Sequence, residues 1–385
     1  MLLLGLLFIP IVLALVGFLY STIQRARGKT AIDRKITGAE FAVHIAVVVV
    51  IVLAGYFLGR QFQMTDVELW NGTIAKKWED SGSCCHSYQC NCHSCNCDRK
   101  GSCDECCDTC YEHSSDDEWY AVTTNGEQVF SDTCNRPGSS PPSRWEKIVV
   151  GEPTAVEHSF DNYIKGSKGS VLLRIGTDER LLARIPEYPR VYDLYHVDRV
   201  LSDGVQMLNP KTLNEQLGAI NGDLGKRKQV DVIIVVTSES DAMYVEAVSE
   251  KWFGGKKNDF IVVIGAPHYP EIAWVDTVSW TRVEELKIAV RDRILALKTL
   301  HNTELDLNAD GEVALRIIYQ EVAEKFVRTP MADFAYLRAQ IEPPEWILWL
   351  LFIIGTIVSI VLQVYFWKND PFEQGFLPRR RRRRR

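Results

Sequence analysis

Cysteine is absent from the first 83 residues, from residues 111–133 and from everything beyond residue 134 of this 385-residue chain. Thiols serving as ordinary small core residues would be scattered, so that use is excluded. Other absences narrow the chemistry. There is no Gly-x-Gly-x-x-Gly turn, and Gly254-Gly255-Lys256-Lys257 lacks the remaining P-loop positions, so no nucleotide-phosphate cradle is encoded. Neither Gly-x-Ser-x-Gly nor His-Glu-x-x-His occurs, which removes two common hydrolase signatures. Residues 84–118 contain no aliphatic side chain, and besides cysteine only Tyr88 and Tyr111 are apolar. Burial cannot offset the ordering entropy of such a segment, so covalent or coordinate bonds must hold it.

The cysteines that are present fall together. They are Cys84, Cys85, Cys90, Cys92, Cys95, Cys97, Cys103, Cys106, Cys107 and Cys110, with an eleventh at Cys134. Repeated C-x2-C turns can aim pairs of thiolates at a metal, and eight cysteines would fill two tetrahedral zinc sites, with His86 or His93 as substitute ligands. A disulfide framework is the rival, favoured in an oxidising compartment and fitting an odd count less neatly. The same spacing also occurs in redox-active pairs, which need a helix N-terminus in a βαβ context. Spacing alone leaves zinc, disulfides and redox chemistry open.

Three segments, residues 2–20, 41–58 and 346–367, are long and apolar enough to cross a bilayer. No Lys or Arg precedes the first, and no small-x-small site follows it, so a retained helix rather than a cleaved signal peptide is expected. His44, at the start of the second, is expected at headgroup level. Basic residues flank the spans: Arg25, Arg27, Lys29, Arg34 and Lys35 in the first loop, Lys368 and Arg379 to Arg385 after the third span. Positive flanks stay cytoplasmic, which predicts N-terminus out, residues 60–345 outside and the arginine tail inside. With no interleaved aromatics, that tail reads as a topology signal on anionic lipid rather than a nucleic-acid site. The chain carries a net charge of −6 despite these basic flanks, so the excess acid lies in residues 60–345, and nucleic acid is not an expected partner.

The expected organisation is membrane helices at 1–20 and 40–59 around a basic loop 21–39, a Cys-rich β domain at 60–150 and a connector 151–189. An α/β domain at 190–300, a helical juxtamembrane segment 301–345, a third span 346–367 and a tail 368–385 follow. Trp119 to Thr124 and Glu127 to Ser131 flank Asn125-Gly126, a hairpin signal. Residues 211–224 form an amphipathic helix with Leu213, Leu217 and Ile220 on one stripe. VDVIIVVT at 230–237 and DFIVVIGA at 259–266 read as buried strands. Between them lies a helix 241–253, capped by Ser238 or Ser240 and ended by Gly254-Gly255. A third strand at 272–280, a helix at 282–300 and another from Asp310 to Val327 complete the α/β layering.

The opening from Val191-Tyr192-Asp193 to Leu201-Ser202, the helix at 213–224, VDVIIVVT, the helix ending in KWFGGKKND, and FIVVIGAP together resemble a TPM domain. That resemblance implies a small αβ sandwich tethered to a membrane. Members of the family are associated with acid phosphatase activity, divalent-cation binding, photosystem upkeep and receptor accessory roles. The whole arrangement is similar to multi-pass membrane proteins of bacteria and their large phages. Two readings of function follow from different classes. One is a non-enzymatic, extracytoplasmic interaction or assembly protein with protein partners. The other is a cation-dependent phosphatase using Asp198, Asp203, Asp241 and Asp276, which requires those acids to converge on metal and water. Metal handling or redox chemistry at the cysteines is a third. A partial calcium loop at Asp306, Asn308 and Asp310 matches D-x-N-x-D-G, but Ile317 stands where a bidentate Glu would close it.

Overall fold

The computed structural model describes residues 2–26, 38–97, 101–167, 176–207, 209–300 and 312–369. The chain divides into two compact units. The first comprises residues 1–65, 161–169 and 335–385. It contains three apolar helices, Leu2–Ala26, Gly38–Met64 and Glu345–Asn369. Each is long and apolar enough to cross a membrane. Leu6, Leu7, Val48, Val52, Leu348 and Leu351 meet at their centre. In the second helix, Gly55 and Gly59 form a Gly-x-x-x-Gly pair facing the third. A Cβ at Gly55 would collide with Leu351 and one at Gly59 with Ile347, so the backbones approach as small residues allow. His44 lies near the start of the second helix. It is buried among the helices, and Nε2 lies 2.7 Å from the Ser359 hydroxyl, which in turn donates to the Pro10 carbonyl at 3.0 Å. Packed between apolar helices, the ring nitrogen thus has a protein partner.

The second unit holds residues 66–160 and 170–334. Its first sheet has the order β5-β4-β1-β6. Here β1 is Thr65–Ser83, β4 Ser115–Thr123, β5 Gln128–Asn135 and β6 Pro153–Asp161. The Asn125-Gly126 turn joins β4 to β5 as expected, with Gly126 at φ +85°. Between β1 and β4 a separate hairpin emerges, β2 Ser87–Cys95 and β3 Asp104–Tyr111, paired only with each other.

The second sheet runs β10-β9-β8-β7. Its strands are β7 Val200–Asp203, β8 Asp231–Thr237, β9 Asp259–Gly265 and β10 Trp274–Val278. β7, β8 and β9 are parallel, and β10 is an antiparallel edge. Every residue of β8 and β9 is buried, because both faces are covered. Helices Pro210–Lys228, Glu284–Ala296 and Ala314–Lys325 cover one face, over Val232, Ile234, Val262 and Ile264. Helix Tyr244–Lys251 covers the other, with Tyr244, Val245, Val248 and Trp252 over Ile233 and Val263. That helix starts three residues later than expected, and neither serine caps it. The Asp241 carboxylate accepts from the Met243 amide at 2.9 Å, and the Ser238 hydroxyl is taken by Arg184.

The start of β1 is packed against the bottom of this second sheet. Asn71 Nδ2 donates to Asp231 at 2.8 Å and Asn258 Nδ2 to the Leu69 carbonyl at 2.7 Å. The fully buried Glu68 carboxylate gathers Arg328 at 2.8 Å, Lys257 at 3.0 Å and His158 at 3.2 Å.

Candidate functional site

The hairpin β2–β3 decides how the cysteines are used. Cys90 bridges Cys110, Cys92 bridges Cys107, Cys95 bridges Cys106 and Cys97 bridges Cys103. The four bonds are strictly nested across the two strands, a ladder whose loops shrink from 20 to 15, 11 and 6 residues. A fifth bridge joins Cys85 to Cys134 in β5 and ties the root of the ladder to the first sheet. The two tetrahedral zinc sites are therefore corrected to disulfides. The antiparallel pairing brings cysteines of the two strands together diagonally, since Cys90 faces Asp108 and Cys95 faces Asp104 in the register while bridging Cys110 and Cys106. None of the three C-x2-C pairs, Cys92/Cys95, Cys103/Cys106 and Cys107/Cys110, is bridged to itself, so no C-x2-C redox pair forms. His93 is exposed on β2, with Nδ1 3.1 Å from the Asn91 carbonyl, and joins no ligand group.

Cys84 alone remains a free thiol, and it is buried. Its surroundings are built from two short connections at the ladder root, one between β1 and β2 and one between β3 and β4. The first supplies Cys84 and His86, the second His113 and, at the start of β4, Asp116. The four ligand atoms lie within 4.8 Å of one another. Asp116 has no exposed side-chain surface, and one oxygen lies 3.3 Å from His86 Nδ1 and also meets His113 Nε2. Its other oxygen accepts from the Cys85 amide at 2.7 Å. Burial raises the Asp116 carboxyl, but the Cys85 hydrogen bond and the two imidazoles outweigh it, so its pKa lies below the ordinary range. Sequence reasoning included Cys84 and His86 but missed His113 and Asp116. The one signal available was that His113-x2-Asp116 sits at the mirror position to Cys84-x-His86 across the hairpin.

The four acids of the phosphatase reading do not converge. Asp198 lines a cleft of about 380 Å³ beside His196 and Lys211 and accepts from the Tyr192 hydroxyl at 3.0 Å. Asp203 ends β7, ion-paired with Arg184 at 2.8 Å. Asp241 accepts from the Met243 amide in the turn ahead of a helix, and Asp276 lines a different cleft of about 300 Å³ on β10. Among the described residues none of the four belongs to a group of three ligand atoms close enough to share an ion. The calcium candidates Asp306, Asn308 and Asp310 lie outside the described residues, as does the arginine tail.

A cluster of charge the sequence did not announce lies where β1 meets β8 and β9. Arg199 pairs with Asp231 at 2.5 Å and Lys256 with Asp66 at 2.6 Å, all four nearly sealed from solvent. Asp259, beside Asp231 in the register, makes no ion pair with a side chain among the described residues and accepts from the Lys256 amide at 2.7 Å. Tyr188 donates to both its oxygens at 3.0 Å. Burial first, then the Asp231 carboxylate, pushes Asp259 up to about 8, against the pull of Lys256. The cluster is architectural: each cation is matched, and the carboxyl left over is kept protonated at neutral pH.

No family model matches the chain, and no curated protein or solved structure is similar enough to register as a match.

Proposed function

We propose that the chain is a membrane-anchored, extracytoplasmic interaction or assembly protein that performs no catalysis. The observation that carries this reading is the hairpin: four nested bridges hold a largely exposed pair of strands that has no core of its own. A covalently rigid, solvent-facing arm is preorganised for docking, since little ordering entropy is left to lose on contact with a partner. Tyr88 and Tyr111, 52% and 58% exposed, supply the aromatic surface that protein interfaces favour. Disulfides of this density belong to an oxidising compartment. That agrees with the charge bias: N-terminus outside, residues 60–345 outside and the arginine tail cytoplasmic. The α/β sheet is read as a TPM-like layer serving as the platform. The scattered acids favour this reading over a cation-dependent phosphatase.

The test has two arms. External protease on intact cells should digest residues 60–345 and spare the arginine tail. In native membranes, replacing 88–110 by a short turn should release the protein from its complex, read as a smaller particle on native electrophoresis, while the α/β sheet stays folded. An unchanged particle size, or Mg²⁺-dependent phosphatase activity lost with Asp198→Asn and Asp203→Asn, would sink the proposal.

A further inference from the structure

We infer that Cys84, His86, His113 and Asp116 form a structural zinc site at the root of the disulfide ladder. Of eleven cysteines, ten are consumed in bridges, and the one left over is 6% exposed and placed among two imidazoles and a fully buried carboxylate. Their ligand atoms already lie within 4.8 Å of one another, so modest side-chain rotations would bring them to the edges of a zinc tetrahedron. One thiolate, two imidazoles and one carboxylate form a mixed soft and borderline set suited to Zn²⁺ rather than to Mg²⁺ or Ca²⁺, which take oxygen ligands. Two anionic ligands would neutralise the ion, which a buried position requires.

The spacing supports the same conclusion. Cys84-x-His86 and His113-x2-Asp116 are two short ligand pairs, one from each connection, and the strands that carry them are already paired at Ser83 and Ser115. Metal would clamp the place where the hairpin leaves the sheet, just where the covalent ladder ends. Four protein ligands leave no open position, so the site is structural and supplies no activated water. The Cys85 amide, donating to the second Asp116 oxygen at 2.7 Å, would hold the carboxylate in orientation from behind. This site stands independently of the docking role proposed above.

The experiment uses the full chain in detergent, depleted of metal with a chelator and then titrated with Zn²⁺ or Co²⁺ alone. One zinc per chain is expected by native mass spectrometry. A single thiol should react with an alkylating reagent in the metal-free protein and become at least tenfold slower with zinc bound. Co²⁺ should give a thiolate charge-transfer band that Cys84→Ser abolishes and His113→Ala weakens, while His93→Ala leaves it unchanged. If alkylation of Cys84 is equally fast with and without zinc, the four residues are a metal-free polar network and the inference is wrong. Full zinc retention in Cys84→Ser would equally overturn it. Because alkylation and metal count are read on the unaltered protein, misfolding of a variant does not blunt the test.

Discussion

In the hairpin β2–β3, four bridges join strands whose side chains mostly face water. In β8 and β9 every residue is buried, and no covalent bond crosses the sheet. The same chain thus solves the ordering problem twice. In the α/β layer, apolar area removed from water does the work, at roughly 25 cal/mol per Å². In the hairpin there is almost no apolar area to remove, so restriction of the unfolded chain substitutes for it, at about 2–4 kcal/mol per bridge. A region stabilised by burial tolerates a change of redox conditions, and a region stabilised by bridges tolerates a polar surface.

Breaking that contrast should be simplest at the ladder. Cys107→Ser with Cys110→Ser removes two rungs and frees Cys90 and Cys92. Each bridge contributes about 2–4 kcal/mol, so the hairpin is expected to lose protection in hydrogen exchange while residues 231–237 and 259–265 keep theirs. A variant whose hairpin stays protected would show that the two inner rungs suffice.

The converse change is Ile234→Ala in the middle of β8, which leaves a cavity between fully buried neighbours. It should cost about 2–5 kcal/mol in denaturant unfolding of the α/β layer. The number of titratable thiols after denaturation without reductant should stay at one. More free thiols would mean that ladder and sheet are energetically coupled.

A smaller effect should appear with pH. Asp259 has a folded-state pKa of about 8, far above the unfolded value near 4, so the folded state holds a proton that the unfolded chain releases. Its contribution is complete below about pH 4 and is lost as pH rises toward 8, at up to about 1.4 kcal/mol per pH unit. Between pH 6 and 8 the α/β layer should lose about 2 kcal/mol, and Asp259→Asn should flatten that slope. An identical slope in the variant would assign the dependence to another group.

The smallest expected change is Gly126→Ala in the β4–β5 turn. The backbone there is left-handed at φ +85°, so an added Cβ should cost about 1 kcal/mol, read in local exchange of the hairpin amides.

Legibility followed the same divide. β8, β9 and the helix at 210–228 were readable because burial writes a periodic apolar pattern, and Leu213, Leu217 and Ile220 lie in the core as that pattern requires. The Asn125-Gly126 hairpin was readable because turn chemistry is local. β7 was not, since four residues are too few for a period. β6 was hidden in what read as a connector, because its place in the sheet depends on a partner some 80 residues earlier. Bridge partners were hidden for a related reason: the eight ladder cysteines admit 105 pairings, and only the folding of one strand over the other selects one. Cys134 reaches back 49 residues to Cys85, and His113 and Asp116 matter only because the hairpin folds them beside Cys84. The acids chosen for catalysis were chosen by type, and the fold disperses them.

Nested connectivity also has a consequence for the order of synthesis. As the chain emerges from its N-terminus, the innermost pair, Cys97 and Cys103, closes a loop of only 6 residues. Each closed rung leaves just a few free residues for the next, so later closures cost little additional chain entropy. The ladder can therefore zip from its tip toward its root once residue 110 has been synthesised, before the strands of the α/β sheet exist. The Cys85–Cys134 bridge closes afterwards, and Cys84 is left reduced because all other thiols have been used.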